Sequence, residues 1–141
     1  MNNGKVADRL IASASAGDTG TVQEILATGA DPNLRNEYGW TALIAACRAG
    51  NLELSRLLIA AGADVNLTNK TGTTPFMYAK TAAFASGKFE LLNLLLKHGA
   101  DINARDKHDL TVLDYVCARS AELIDYLEAQ GAIRRDVNPG A

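Results

Sequence analysis

The chain has 141 residues, 48% of them apolar and 21% charged, which suits one soluble globular domain with a real core. Fourteen Lys and Arg against 16 Asp and Glu leave a formal charge of −2. That balance lacks the basic surplus that a nucleic-acid footprint needs.

The first segment, MNNGKVADRL, has no long apolar stretch and no cleavage signature, so no signal peptide is expected. Apolar runs along the whole chain fall far short of the ~20 residues a membrane helix needs. A cytoplasmic location and no membrane partner are the expectation. Lys5, Asp8 and Arg9 then belong to the open, polar side of a terminal helix pair.

Next comes Thr41, a good N-cap, and ALIAACRA is apolar on most sides until Gly50 ends it. In NLELSRLLIAA, the residues Leu54, Leu57, Leu58 and Ala61 form one helical stripe, which Gly62 stops. A second threonine opens TPFMYA at 74–79, and a third opens TVLDYV at 111–116. Near the end, SAELIDYLEAQ turns Leu123, Ile124 and Leu127 inward and leaves Glu122, Asp125 and Glu128 to water. RRDVNPGA, residues 134–141, reads as a frayed tail.

These elements repeat. GADPN, GADVN and GADIN start at Gly29, Gly62 and Gly99, and Gly131 marks a fourth return. The steps are 33, 37 and 32 residues, while Gly17, Gly50 and Gly87 each lie 12 residues before a GA pair. Three markers in one phase indicate a repeat protein in which each unit is two short helices. The predicted units are about 4–36, 37–69, 70–106 and 107–133, in a single domain over 1–133. The four extra residues of the third unit lie in KTAAFASG and lengthen its first helix by nearly one turn, carrying a residue near Phe84 beyond its neighbours. The fourth unit is one residue short around ARSAE, which predicts a tighter helix–helix corner.

The GADxN element raises a choice between metal ligation and chain reversal. Counting Asp64 as the first position of a Ca²⁺ loop puts Asn69 at the sixth and Pro75 at the twelfth, instead of Gly and Glu. The element reads better as a turn, with Gly ending a helix and Asp and Asn bonding nearby backbone. No metal and no cofactor are expected.

With the period and motifs in hand, the sequence resembles the ankyrin-repeat family over about residues 4–133. TPFMYA at 74–79 is similar to the family's Thr-Pro-Leu-His-x-Ala helix start, and Gly39-Trp40-Thr41 and Gly72-Thr73-Thr74 match its Gly-x-Thr spacing. The resemblance implies an all-α solenoid of stacked helix-turn-helix units with projecting β-turn loops. Two departures stand out. The family's helix-start His is replaced by Ile44, Met77 and Asp114, so its hydrogen bond to Thr should be missing. The fourth unit carries Asp109 in place of the turn glycine.

No catalytic constellation is evident. His98 and His108 are the two histidines, and no P-loop, dinucleotide fingerprint, paired-His motif or nucleophile elbow is present. Cys47 and Cys117 occupy matching positions in units two and four, too far apart for a disulfide, and read as small buried side chains. A non-catalytic protein is therefore expected, monomeric on its own and bound to another protein.

The resemblance implies that partners are bound through the turn tips and the adjoining face of the first helices. The tip residues are Glu37, Tyr38 and Trp40, then Lys70, Thr71 and Thr73, then Lys107, His108 and Leu110; Arg48, Thr81 and Arg119 would line the inner face. Tyr38 and Trp40 have the character of binding anchors, while a Trp just before a helix also suits packing against the next turn. Scaffolding and inhibition of one enzyme or toxin both fit such a protein. A ligand sensor or enzyme built around the lengthened third unit is the alternative of another class.

Overall fold

The computed structural model describes residues 2–116 and 120–135. Seven α-helices follow in order: α1 Asn3–Ser15, α2 Thr19–Ala27, α3 Ala42–Arg48, α4 Leu52–Ala60, α5 Pro75–Ser86, α6 Glu90–Lys97 and α7 Ala121–Ala129. No strand occurs among the described residues. The helices pair as hairpins, α1 with α2, α3 with α4 and α5 with α6, and the first members stack on one another in the order α1, α3, α5. An inner and an outer layer result, with the core continuous between them.

Burial drives this stacking. Residues Ala42 to Cys47 are all at most 2% exposed, because α3 is covered by α1 on one side, by α5 on the other and by α4 behind. A helix of seven residues is too short to be stable alone, so its stability comes from those neighbours. The caps at the starts of the inner helices work as expected. The Thr41 hydroxyl accepts from the Ile44 N–H at 3.2 Å, and that of Thr74 from the Met77 N–H at 3.1 Å. Pro75 sits at the first helical position, where its missing N–H costs nothing.

The Asp–Asn couples are spent on chain reversal, and their reach exceeds the local turn. Asp31 accepts from the Asn33 N–H within its own turn at 2.8 Å. Asn33 then crosses to the next unit, donating to the Gly62 carbonyl at 3.1 Å and accepting from the Asp64 N–H at 2.8 Å. Asn66 repeats the pair of bonds on Gly99 and Asp101 at 3.0 and 2.8 Å. Asn103 does so on Gly131 and Ile133, again at 3.0 and 2.8 Å. A ladder of three asparagines thus fastens successive units along one edge.

The tips of the same connections are fastened by backbone. Each hairpin tip is closed by an Asx side chain: Asn36 accepts from Tyr38 and Trp40, Asn69 from Thr71 and Thr73, and Asp106 from His108 and Leu110. The tips then stack, with the Lys70 N–H donating to the Tyr38 carbonyl at 3.1 Å and the Lys107 N–H to the Thr71 carbonyl at 3.0 Å. A Cβ on Gly39 would lie 2.9 Å from the Lys70 nitrogen, and one on Gly72 would lie 2.9 Å from that of Lys107. Both glycines also have φ near +75°, so two requirements select them. Asp109 holds the same left-handed conformation, at φ 61°, and its carboxylate pairs with Arg105 at 3.1 Å. A further tip stacked on it in the same way would meet its Cβ.

Helix α5 has 12 residues against seven in α3, while the first inner helix, α1, has 13. The added turn of α5 leans over the end of α3, where a Cβ on Gly50 would approach Ala82 to 2.9 Å. Phe84 lies on this turn and is 53% exposed.

Several expectations change on contact with the structure. TVLDYV does not begin a helix: it forms one 3₁₀ turn, Leu113–Tyr115, and Val116 is already extended. The Leu113 carbonyl, which a longer helix would use in its own ladder, accepts from the Arg134 guanidinium at 2.8 Å. Asp114 accepts from the Thr111 N–H at 2.9 Å and from the Arg135 N–H at 3.0 Å. Arg134 and Arg135 are therefore bound to the fourth unit, where a frayed tail was expected to begin. Asp114 also lies 3.0 Å from the Thr111 hydroxyl, so the bond expected to be missing with the family's His is replaced there by a carboxylate contact. The ARSAE corner includes residues 118 and 119, outside the described residues, as is Cys117; Cys47 is fully buried.

On α4, Leu54 and Leu58 are buried, whereas Leu57 is half-buried and Ala61 exposed, a narrower stripe than the pattern predicts. At the terminal pairs the polar faces lie where expected. Lys5, Asp8 and Arg9 are exposed, as are Glu122, Asp125 and Glu128, while Leu123 and Leu127 are buried. Helix α7 meets α6 through Phe89 stacked on Tyr126 at 4.6 Å and through the Tyr126 hydroxyl, which donates to Asn93.

Candidate functional site

Side chains of the tips and of the inner helices meet in two groups along the stack, which together make up the trough. Its first half is built around Trp40. Asn36 fixes the Trp40 backbone, and the indole lies half-buried against Tyr78 of the next unit, ring centroids 5.2 Å apart. Arg48, at the last position of α3, sets its guanidinium 5.5 Å from the indole centroid. The Tyr78 hydroxyl in turn accepts from the Asn69 amide at 3.1 Å, tying the ring to the base of the third tip, each tip being numbered by the unit that carries it.

The second half repeats the theme one unit on. Lys80 of α5 holds its ammonium 5.3 Å from the Tyr115 ring centroid, and the Tyr115 hydroxyl donates to Asp106. Burial alone pulls the Lys80 pKa below its ordinary value. The hydrogen bond to Asp106 pushes the Tyr115 phenol up to about 12, with burial adding to it. Burial acts to raise Asp106, but its bonds from Tyr115, Leu110 and His108 outweigh that and hold it below the usual carboxylate range. Thr71, Thr73 and His108 complete a recess between the third and fourth tips, over Lys80 and Tyr115.

The residues singled out from sequence divide in two. Glu37, Tyr38, Arg48, Lys70, Thr71, Thr81, Lys107 and His108 are exposed on the tips and inner face. Trp40, Thr73 and Leu110 are half-buried, and Arg119 lies outside the described residues. Tyr38 and Trp40 therefore part company: Tyr38 is 63% exposed, while Trp40 joins two units.

Sequence reasoning passed over Tyr78, Lys80, Tyr115 and Asp106. A signal was available, because Tyr78 and Tyr115 stand at the same place after Thr74 and Thr111. Likewise Asn36, Asn69 and Asp106 stand at the same place before the three threonines.

Asp31, Asp64 and Asp101 are occupied by their own turns. Among the described residues, no group of three or more His, Cys, Asp or Glu is placed to hold a metal ion. Nor is any helix there long and apolar enough to cross a membrane. Burial raises the Cys47 thiol to about 12, which leaves it un-ionised and packed against Ser55.

Stacked helix hairpins with joined tips and a side-chain trough define a solenoid repeat protein. The family model described as ankyrin repeats (3 copies) matches residues 10–106, and the chain belongs to the ankyrin-repeat family. Ankyrin repeats serve in general as protein–protein interaction modules and are typically non-catalytic. The match ends at Asp106, before the fourth unit, whose first helix is reduced to the 3₁₀ turn. No curated protein matches the chain.

Proposed function

We propose that this chain is a non-catalytic recognition module that binds a protein partner in the trough formed by its tips and inner helices. The observation that carries the reading is the outward Tyr38 on a tip whose backbone is already fixed at both ends. Its carbonyl accepts from Lys70 and its N–H donates to Asn36, yet the ring is 63% exposed. An aromatic held this way loses little freedom on binding, which is the character of an affinity-determining contact. Arg48, exposed and braced on Trp40, supplies a second such group.

The test is capture from native lysate by the immobilised protein, compared with a Tyr38→Ala/Arg48→Ala variant. Both side chains are exposed, so the thermal melt should move little, while the captured protein should be lost. Equal capture by the two proteins would refute the role of this surface. Trp40 is left untouched, since its removal would strip Tyr78 and Arg48 of support and confuse folding with binding.

A further inference from the structure

Charge is unevenly placed around the trough. Asp106 spends its oxygens on Tyr115, His108 and Leu110, Asp114 on Thr111 and Arg135, and Asp109 on Arg105. On the tips Glu37 is the carboxylate left free among the described residues, while the inner helix α1 carries another, Asp8. Against these stand Arg48, Lys70, Lys80 and Lys107, none in an ion pair among the described residues. Glu53, Glu90 and Glu122 lie on the outer helices.

Lys80 is the distinctive member of this set. Its ammonium is half-buried over the Tyr115 ring, on the floor of the recess between the third and fourth tips. A cation withdrawn from water without a counter-charge is costly, and a carboxylate supplied from outside would offset that cost. The exposed His108 ring stands at the rim, where its N–H can donate to an oxygen anion; the Thr71 and Thr73 hydroxyls are engaged with Asn69 and with each other, and Asp106, bound to Tyr115, also lines the recess. We infer that the partner presents an acidic segment to this trough, with one Asp or Glu carboxylate seated between the third and fourth tips against Lys80. This inference rests on the recognition reading above and adds the chemistry of the partner.

The test uses two terminally blocked peptides titrated into the full chain, one alternating Glu with Leu and the other alternating Gln with Leu. Amide NMR shifts report the site. Shifts confined to residues around Lys80, Thr73 and His108, seen with the Glu peptide alone, are expected. Lys80→Gln should weaken that binding roughly thirtyfold, the low end for removing one partner of a desolvated charge pair, and Lys80→Arg should restore most of it. The variant's thermal melt serves as the folding control.

Equal binding of the two peptides, or shifts centred on outer-helix residues such as Lys88 and Lys97, would overturn the inference. Tighter binding of a single-stranded oligonucleotide of matched charge would also overturn it, by assigning the recess to phosphate. The lysate experiment separates the two readings. Capture lost in Tyr38→Ala/Arg48→Ala but indifferent to Lys80→Gln keeps the recognition surface and removes the acidic partner.

Discussion

Replacing Gly72 by alanine, with Gly87→Ala as its partner experiment, isolates the contribution of tip stacking. Both glycines are left-handed, at φ 75° and 70°. An alanine there pays roughly 1–2 kcal/mol for its conformation and recovers about 0.4–1 kcal/mol by restricting the unfolded chain. Gly87 has nothing within 4 Å of an added Cβ, so its substitution should cost about 1 kcal/mol. At Gly72 the new methyl would lie 2.9 Å from the Lys107 nitrogen and 3.0 Å from the Asp106 Cα, both of them backbone atoms. The fourth tip must move away, which sacrifices the Lys107 N–H bond to the Thr71 carbonyl, a loss of about 1 kcal/mol. Displacement of packed backbone adds at least ~1 kcal/mol. The total at Gly72 is about 3 kcal/mol. With an m-value of about 2 kcal/mol/M in urea, the midpoint should fall by roughly 1.5 M, against roughly 0.5 M for Gly87→Ala. Equal shifts in the two variants would refute the claim that the tips are held together by close backbone contact.

The remaining expectations concern the core. Leu58→Ala, at a fully buried position, should cost about 2–5 kcal/mol by urea denaturation, while half-buried Leu57→Ala should cost about 1 kcal/mol. Burial raises the Cys47 thiol from 9.0 to about 12, so the folded state keeps a proton that the unfolded state releases. Stability from this group is complete below pH 9 and falls as pH rises from there toward 12. Cys47→Ala should flatten the decline between those limits, as read by urea midpoints measured across the range; an unchanged slope would contradict the assignment. Native Cys47 should likewise resist thiol reagents at pH 8 until the protein is unfolded.

What could be read from the sequence followed from contacts made close along the chain. Thr41 and Thr74 declare their caps because the bonded N–H lies three residues on. The ladder of Asn33, Asn66 and Asn103 was half legible: each side chain belongs to a turn, but its bonds land 28 to 35 residues away and exist only once the units stack. TVLDYV looked helical because its apolar pattern says nothing of Arg134, which returns from the far end of the unit to claim the Leu113 carbonyl. Tyr38 and Trp40 are separated by Tyr78, a neighbour contributed by the next unit. The same limit concealed Lys80, whose helix position aligns with buried Cys47 but whose partner, Tyr115, comes from the next unit.

The added turn of α5 carries a lesson for rebuilding the molecule. Spacing between units is keyed on two rails, asparagine side chains at the turns and stacked main chain at the tips, and neither passes through the far end of α5. The middle of the protein can therefore grow a spur without disturbing either rail. Any inner helix should accept a similar extension where the residue beneath it is as slight as Gly50, and partner-reading groups could be grafted onto such spurs one unit at a time.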